Sequence, residues 1–345
     1  MKNIGKSLLF SLICLINQKS AFGMKWLCCC RPKRGQSVLL LTQELQTDVA
    51  EANINVDHLN EQLCDAVETN NVERVNQLLR AGADIDTFSS NRRTPLQIAL
   101  YKKNETMIQV LLQAGANPND VRYSNSSPLY IATKYNLANM LIMLIRYNAS
   151  LRTDTSSQSL LHVAAFCSSI EVVKILTTRI HPHTRNRSLQ TPLHCSAWSN
   201  SKAGIETLIN AGTDPNATDD QKDTPLHIAA CYNNDESTEC LILHGSNIEL
   251  PNKNLETPIS LAARYASDRA TNILIKHHAN LEAEDIYHQT ALQIAATSKY
   301  SSSATCARTL LQAGAGMQAH PRGTSLKKTD TLSQGGNMPC LALWS

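Results

Sequence analysis

The chain has 345 residues, of which 42% are apolar and 18% are charged, and its formal net charge is +3. This apolar content is sufficient for a folded core and argues against a wholly disordered chain. So small a net charge argues against the strongly basic surface that nucleic-acid-binding proteins use. We therefore expect no nucleic-acid partner.

The eleven cysteines are odd in number and irregularly spaced. A secreted domain held together by disulfides would be shorter and richer in cysteine. We therefore interpret most of these cysteines as reduced thiols that pack as small apolar side chains.

The first 35 residues carry seven Lys or Arg and no acidic residue, and they allow more than one interpretation. Lys2 and Lys6 precede an apolar run at Ser7–Ile16, and a small-x-small site ends at Gly23, which is the layout of a cleaved signal peptide. The run is shorter than the ~20 residues that span a bilayer, so we predict no transmembrane helix. Cleavage of residues 1–23 would predict an exported protein.

In the second interpretation Met24 is the functional start, and it is followed by three consecutive cysteines among Lys and Arg residues. Acyl chains on Cys28, Cys29 and Cys30 would enter the bilayer while the cations meet anionic headgroups. This interpretation predicts a palmitoylated lipoprotein in the cytoplasm, associated with a membrane. A third alternative, in which neither signal acts, stays open.

A short phrase of Thr or Ser followed by two mostly apolar residues, often Pro-Leu, recurs along the chain. The second members of successive copies are separated by 33, 32, 32, 33, 33 and 33 residues. The copies begin at Thr94, Ser127, Ser159, Thr191, Thr224, Thr257 and Thr290, and an eighth, degenerate copy lies at Glu61–Ala66. This period is typical of stacked units, which share a core because one unit cannot bury its apolar face alone.

Each phrase predicts a helix start, because Thr or Ser caps a free amide and Pro suits the first turn. A second amphipathic run follows, and we predict that it ends twenty-one residues after the cap in most copies, where Gly or Asn favours a left-handed backbone. These end positions hold Gly82, Gly115, Asn148, Ile180, Gly212, Gly245, His278 and Gly314. Ile180 does not fit this pattern, and we expect a differently shaped loop there.

With Thr-Pro-Leu-His, Ala-Ala and Gly-Ala-x-x-Asn elements in register, the chain resembles the ankyrin repeat family from about Leu59 to Gln318. The resemblance implies an all-α solenoid of stacked helix-turn-helix units with short β-turn fingers. We accordingly predict an N-terminal segment at 1–58, a repeat domain of eight units at 59–320, and a disordered tail at 321–345.

The chain departs from the family in one respect, since the Gly usually found two residues before each cap is absent. Its place is taken by Arg92, Asn125, Ser157, Leu189, Lys222, Leu255 and His288. We expect fingers without this Gly to be less regular.

No residue pattern predicts catalysis or a cofactor. The chain has no GxGxxG or GxxxxGK[ST] phosphate loop, and consecutive helical residues such as His194, Cys195 and Ser196 point ~100° apart and cannot form a relay. His162 and His227 recur with His194 at one repeat position. Equivalent atoms in neighbouring repeats of a stack are ~8–10 Å apart, which is too far for these residues to share one zinc ion. We expect no enzyme, metal, cofactor or small-molecule substrate. The family resemblance implies that these histidines bond to a neighbouring finger.

One aromatic residue stands at the end of the first helix in each of six successive repeats, several with a cation beside it. In the ankyrin family these positions line a concave groove that binds a protein partner. The groove residues are Tyr101, Lys102, Lys134, Tyr135, Phe166, Trp198, Tyr232, Arg264 and Tyr265. Rigid aromatic side chains are frequent interface anchors, although core packing is the alternative for each one. Such a groove could hold an extended peptide or an amphipathic helix.

The finger tips carry charges that change sign along the chain. Cations stand at Arg92, Arg93, Arg122, Arg185 and Arg187, with Lys222 further on, whereas the later fingers carry Asp219, Asp220, Asp223, Glu256, Glu284 and Asp285. One interpretation is a gradient that orients an elongated partner, and the other is ordinary solvation.

We therefore expect a non-catalytic scaffold or adaptor that binds a protein segment in its groove. One alternative is the substrate-recognition subunit of a cullin-type ubiquitin ligase, for which Thr324-Ser325-Leu326 is a weak trace of an adaptor box. Another is a secreted ankyrin effector protein, which the N-terminal apolar run would support.

Overall fold

The computed structural model describes residues 56–120, 127–151, 158–300 and 302–316. The chain divides into two compact units, Met1–Pro95 and Leu96–Ser345. The first unit contains helices α1 (56–68) and α2 (Val72–Arg80). Asn71 caps α2 by accepting a hydrogen bond from the Arg74 amide.

The second unit consists of short helices in pairs, and the described residues contain no strand. The helices are α3 (Pro95–Tyr101), α4 (Glu105–Gln113), α5 (Pro128–Lys134), α6 (Ala138–Arg146), α7 (Leu160–Phe166), α8 (Ile170–Thr177), α9 (Pro192–Trp198), α10 (Lys202–Asn210), α11 (Pro225–Cys231), α12 (Asp235–Leu243), α13 (Pro258–Arg264), α14 (Asp268–Lys276), α15 (Ala291–Thr297) and α16 (Ser303–Gln312).

Neighbouring pairs stack in chain order. The first helices α5, α7, α9, α11, α13 and α15 each contact the next in that series, and so do the second helices from α4 to α16. The apolar residue after each Pro, such as Leu193 or Leu226, is fully buried between them. This arrangement confirms the predicted all-α solenoid of stacked units.

The second helices end as predicted. Five Gly at these ends have φ between +87° and +99°, Asn148 has φ +62° and His278 has φ +61°. Ile180 is not among the residues with positive φ, and its amide donates to the Leu176 carbonyl at 2.7 Å. The expectation of a differently shaped ending there is confirmed.

The fingers are regular despite the missing Gly, and on this point the expectation from sequence is wrong. In the five described fingers a non-Gly residue adopts the left-handed conformation with φ between +56° and +60°, and these residues are Arg92, Leu189, Lys222, Leu255 and His288. Asn125 and Ser157 lie outside the described residues. Each of the five described fingers closes with the same bond between its first amide and fifth carbonyl, as from Asp219 to Asp223 at 2.9 Å.

In the four described fingers of the second unit, the first side chain holds the turn. The Asp219 Oδ1 atom accepts from the amides of Gln221 and Asp223 at 2.8 and 2.9 Å. Asn186, Asn252 and Asp285 accept the two equivalent amides in their own fingers. These bonds offset a left-handed backbone that costs about 1–2 kcal/mol in a residue with a side chain.

Backbone hydrogen bonds join adjacent fingers into one row. The amides of Asp220, Lys253 and Ile286 donate to carbonyls of the preceding fingers, at Ser188, Gln221 and Asn254, over 2.9–3.0 Å. We call the four fingers at 186–190, 219–223, 252–256 and 285–289 the finger row. Their tips therefore have a fixed spacing.

The left-handed backbone at Lys222 predicts the effect of a Gly substitution. Lys222→Gly should raise the free energy of unfolding by about 0.5–1 kcal/mol, because relief of the strain exceeds the extra freedom that Gly has in the unfolded chain. Lys253→Gly is the matched control, since Lys253 is exposed in the next finger without positive φ. The control should lose about 0.5 kcal/mol in urea unfolding. Equal effects of the two substitutions would contradict this explanation.

Candidate protein-binding site

Three buried histidines connect first helices to the fingers that follow them. His162, His194 and His227 lie in α7, α9 and α11, and their Nε2 atoms are 2.8–3.1 Å from the carbonyl oxygens of Gln190, Asp223 and Glu256. Because a carbonyl only accepts, each Nε2 carries the proton and donates. The role that the family resemblance implied for these residues agrees with this geometry.

The other ring nitrogen faces the helix cap. His227 Nδ1 accepts from the Thr224 amide at 3.1 Å, and His194 Nδ1 accepts from the Thr191 amide at the same distance. Burial disfavours the charged ring and lowers the pKa of His162 and His227 to about 4 and that of His194 to about 3. These rings are therefore neutral, and they are hydrogen-bonded to the backbone.

The described residues contain no cluster of three His, Cys, Asp or Glu side chains that could hold a metal ion. The six described cysteines are free thiols, and five of them are buried. Burial raises the pKa of Cys64 and Cys240 to about 11, so both remain protonated and pack as predicted for small apolar side chains.

The aromatic groove residues contact one another across repeats. Phe166 and Trp198 stack with ring centroids 4.3 Å apart, and Trp198 meets Tyr232 edge-on at 5.7 Å. Tyr101 and Tyr135 form a second edge-on pair at 5.8 Å. The structure thus brings five of the six predicted rings into two contact groups.

The last predicted ring has a partner that the sequence pattern missed. The ring centroids of Tyr265 and Tyr300 are 5.9 Å apart. Tyr300 follows α15 within a three-residue insertion, which moves it out of the repeat register. Burial raises the pKa of Tyr265 above its usual range, with a smaller contribution from Cys231.

The rings differ in what they offer to a partner. Tyr135 is 42% exposed, and Lys102 and Lys134 beside the Tyr101–Tyr135 pair are exposed too. Trp198 is half-buried, and its Nε1 atom is buried without an acceptor among the described residues. Trp198 therefore contributes to packing, and its replacement would not be a clean probe of binding.

Arg264 is bound within the protein. Its Nε and Nη2 atoms donate to Glu256 Oε1 at 2.5 Å and to Asp285 Oδ2 at 3.3 Å. Both carboxylates are buried, so removal of the guanidinium would leave two buried charges without their cation. Arg264 therefore stabilises two fingers and is not among the proposed partner contacts.

The predicted change from positive to negative charge along the finger tips is not present on the surface. Of the later carboxylates, Asp219, Asp223, Glu256 and Asp285 are all buried, and the gradient interpretation is wrong for them. Asn252 Nδ2 donates to Asp223 at 2.9 Å, while burial raises the pKa of Asp223 to about 7. The sequence shows these charges but not the side chains and amides that enclose them.

Those predicted finger cations that the structure describes lie on the surface. Arg92, Arg93, Arg187 and Lys222 are exposed, whereas Arg122 lies outside the described residues. Arg185 donates from Nη1 to the carbonyls of Leu189 and Thr218, so its charge also supports the fingers.

The features predicted for the two chain ends lie outside the described residues, namely Cys28, Cys29, Cys30, residues 1–23 and the tail at 321–345. No helix within the described ranges has the length and apolar character needed to cross a membrane.

Comparison with protein families agrees with the repeat pattern. The model for ankyrin repeats in three copies matches residues 63–154, 136–219 and 226–320, and a second model for ankyrin repeats matches 199–243. No curated protein matches the chain. Ankyrin repeats are in general protein–protein interaction modules and are typically non-catalytic.

The neutral histidines predict a loss of stability in acid. The unfolded rings take up protons near pH 6.5 and the folded rings only near pH 3–4, so stability falls as the pH drops through this interval. Between pH 7 and 5 each ring should contribute a loss of about 1–2 kcal/mol. Asp223 acts in the opposite direction between about pH 4 and 7, since its pKa is raised, but three rings outweigh it.

His227→Gln isolates one of these contributions. Gln stands at the equivalent position in α15, where the Gln293 Oε1 atom accepts from the Thr290 amide at 3.0 Å. Urea unfolding of the variant from pH 7 to 5 should show a smaller acid-induced loss than wild type, by about 1–2 kcal/mol. Identical pH dependence of the two proteins would show that this ring is not held neutral.

Proposed function

The chain belongs to the ankyrin repeat family, and we propose that it is a non-catalytic adaptor or scaffold that binds a protein segment along its groove residues. The proposed contact surface is narrower than the sequence pattern predicted. It comprises Lys102, Lys134 and Tyr135, with the half-buried Tyr101 beside them.

The exposed ring of Tyr135 carries this proposal. Tyr135 follows α5 directly, so a smaller polar residue would end the helix equally well. Its ring contacts Tyr101 of the preceding repeat, and the Lys134 Nζ atom lies 5.8 Å from its centroid. A rigid ring flanked by cations supplies apolar area with little ordering cost and favours a partner with acidic groups.

The aromatic rings of the later repeats stabilise this surface indirectly. Phe166, Trp198 and Tyr232 hold three successive first helices at fixed spacing through their ring contacts. A partner segment would therefore meet a surface that is already ordered, which reduces the entropic cost of binding.

We further propose that the protein acts in the cytoplasm and is tethered to a membrane by acylation within Cys28–Cys30. The run of thiols among cations supports this placement, because acyl chains and basic residues together give stable anchoring where one chain does not. The ligase and secreted-effector alternatives depend on Thr324–Leu326 and residues 1–23, and no described residue favours them.

A displayed library of random 16-residue peptides tests the groove. Peptides enriched on the full-length protein are synthesised, and their dissociation constants are measured by fluorescence anisotropy. Tyr135→Ala should weaken binding about tenfold or more, because a central aromatic anchor is lost.

Tyr147→Ala is the matched control. Tyr147 also directly follows a helix, has 37% exposure against 42% for Tyr135, and lies at the end of the second helix of the same repeat. Its replacement should change binding less than about twofold. Equal losses in both variants, or peptides that bind independently of Tyr135, would contradict the proposed groove.

A further inference from the structure

The finger row exposes large apolar side chains. Leu189, Leu255, Ile286 and Tyr287 are 47%, 51%, 43% and 67% exposed. They are four of the nine large apolar residues with such exposure among the described residues. Exposed apolar residues gathered in one place indicate an interaction surface, whereas scattered ones do not.

Backbone bonds hold these side chains at fixed positions. Leu255 follows Asn254, whose carbonyl accepts from the Ile286 amide at 3.0 Å. The Asp285 side chain accepts from the Tyr287 amide at 2.8 Å and fixes that tip as well. The tips are therefore ordered before any partner arrives, and binding loses little conformational freedom there.

Two of these residues also carry backbone strain. Leu189 and Leu255 have φ of +58° and +56°, a region that Gly adopts freely and that is unfavourable for Leu. The turn bonds of Asn186 and Asn252 offset this cost, and the exposed Leu side chains themselves bury little area in the isolated chain. The turn does not require a large apolar side chain at these two positions, since Arg92, Lys222 and His288 stand at the equivalent ones.

The exposed charge on the finger row is mainly positive. Arg187, Lys222 and Lys253 are exposed cations, opposed by exposed Asp220 and by Glu284, which is bonded to His288. The remaining carboxylates of the row are buried against backbone amides, Asn252 and Arg264. The row thus combines apolar side chains with cations.

We propose that the finger row docks an acidic protein segment that also carries large apolar side chains. The apolar side chains would rest on Leu189, Leu255 and Tyr287, and the carboxylates would face Arg187, Lys222 and Lys253. This inference extends the protein-binding function proposed above from the groove to a second surface. It also names the chemistry of the partner.

Two displayed peptide libraries test this inference on the full-length chain. Both contain Leu, Phe, Gly and Ser, and one adds Asp and Glu where the other adds Lys and Arg. The acidic library should yield binders and the basic library none, and the dissociation constant of the binders should rise with NaCl concentration. Equal yields from both libraries would overturn the proposal.

The double variant Leu189→Gly/Leu255→Gly separates binding from folding. Gly accepts the left-handed backbone, so the thermal midpoint should stay the same or rise while affinity for the selected acidic peptides falls tenfold or more. Leu243→Ala, at a 68% exposed Leu in α12, is the control and should leave affinity within about twofold. Unchanged affinity in the double variant, or a lower thermal midpoint, would overturn the proposal.

Charge reversal provides a second variant that does not alter the turns. Lys222→Glu/Lys253→Glu should also weaken the acidic peptides tenfold or more. Tyr135→Ala should leave these peptides unaffected. If Tyr135→Ala loses affinity for these peptides while both finger variants bind them fully, the peptides lie in the groove. That result would overturn this inference but would still agree with the proposed function.

Discussion

Hydrogen bonds that pass from one repeat to the next hold this protein in register. No repeat can bury its own apolar face, so stacking supplies the free energy of folding and the bonds determine how the units align. Neutral histidines donate to the backbone of the following finger, as His194 does at Asp223. Finger amides donate backward, as Lys253 does at Gln221. Together these bonds fix the finger row to the helices and its fingers to one another.

The same bonds explain which side chains support the fold and which remain available. Arg264 carries a charge that sequence alone would assign to a partner, yet it neutralises Glu256 and Asp285. Trp198 is stacked between repeats and supports the fold. The candidate surfaces are formed by side chains that take no part in these bonds, namely those of Lys134, Tyr135 and the exposed residues of the finger row.

Sequence reasoning predicted the architecture well because it depends on local rules that repeat. Caps such as Thr224, the buried Leu positions and the left-handed ends at Gly212 or Asn148 follow from backbone chemistry at fixed spacing. The histidine role followed from the family resemblance. The sequence misfit at Ile180 also proved to be a structural one.

The candidate site was less predictable because it depends on contacts between repeats. The regular fingers without Gly require side-chain acceptors such as Asp219, which override the conformational preference of Lys222. The same environment buries the acidic residues that made the later fingers look negative. Leu189 and Leu255 stand at a repeat position whose residue type varies, and only their exposure in the folded chain distinguishes them as surface residues.

Hydrogen exchange of the finger amides, followed by NMR, measures whether backbone bonds join the fingers. The amides of Asp220, Lys253 and Ile286 lie at exposed tips, yet each donates to the preceding finger. We expect these amides to exchange as slowly as helix amides in α11, because exchange requires the fingers to separate. Exchange at the rate of an unstructured peptide would show that the fingers are not joined, and the preformed finger row would not exist.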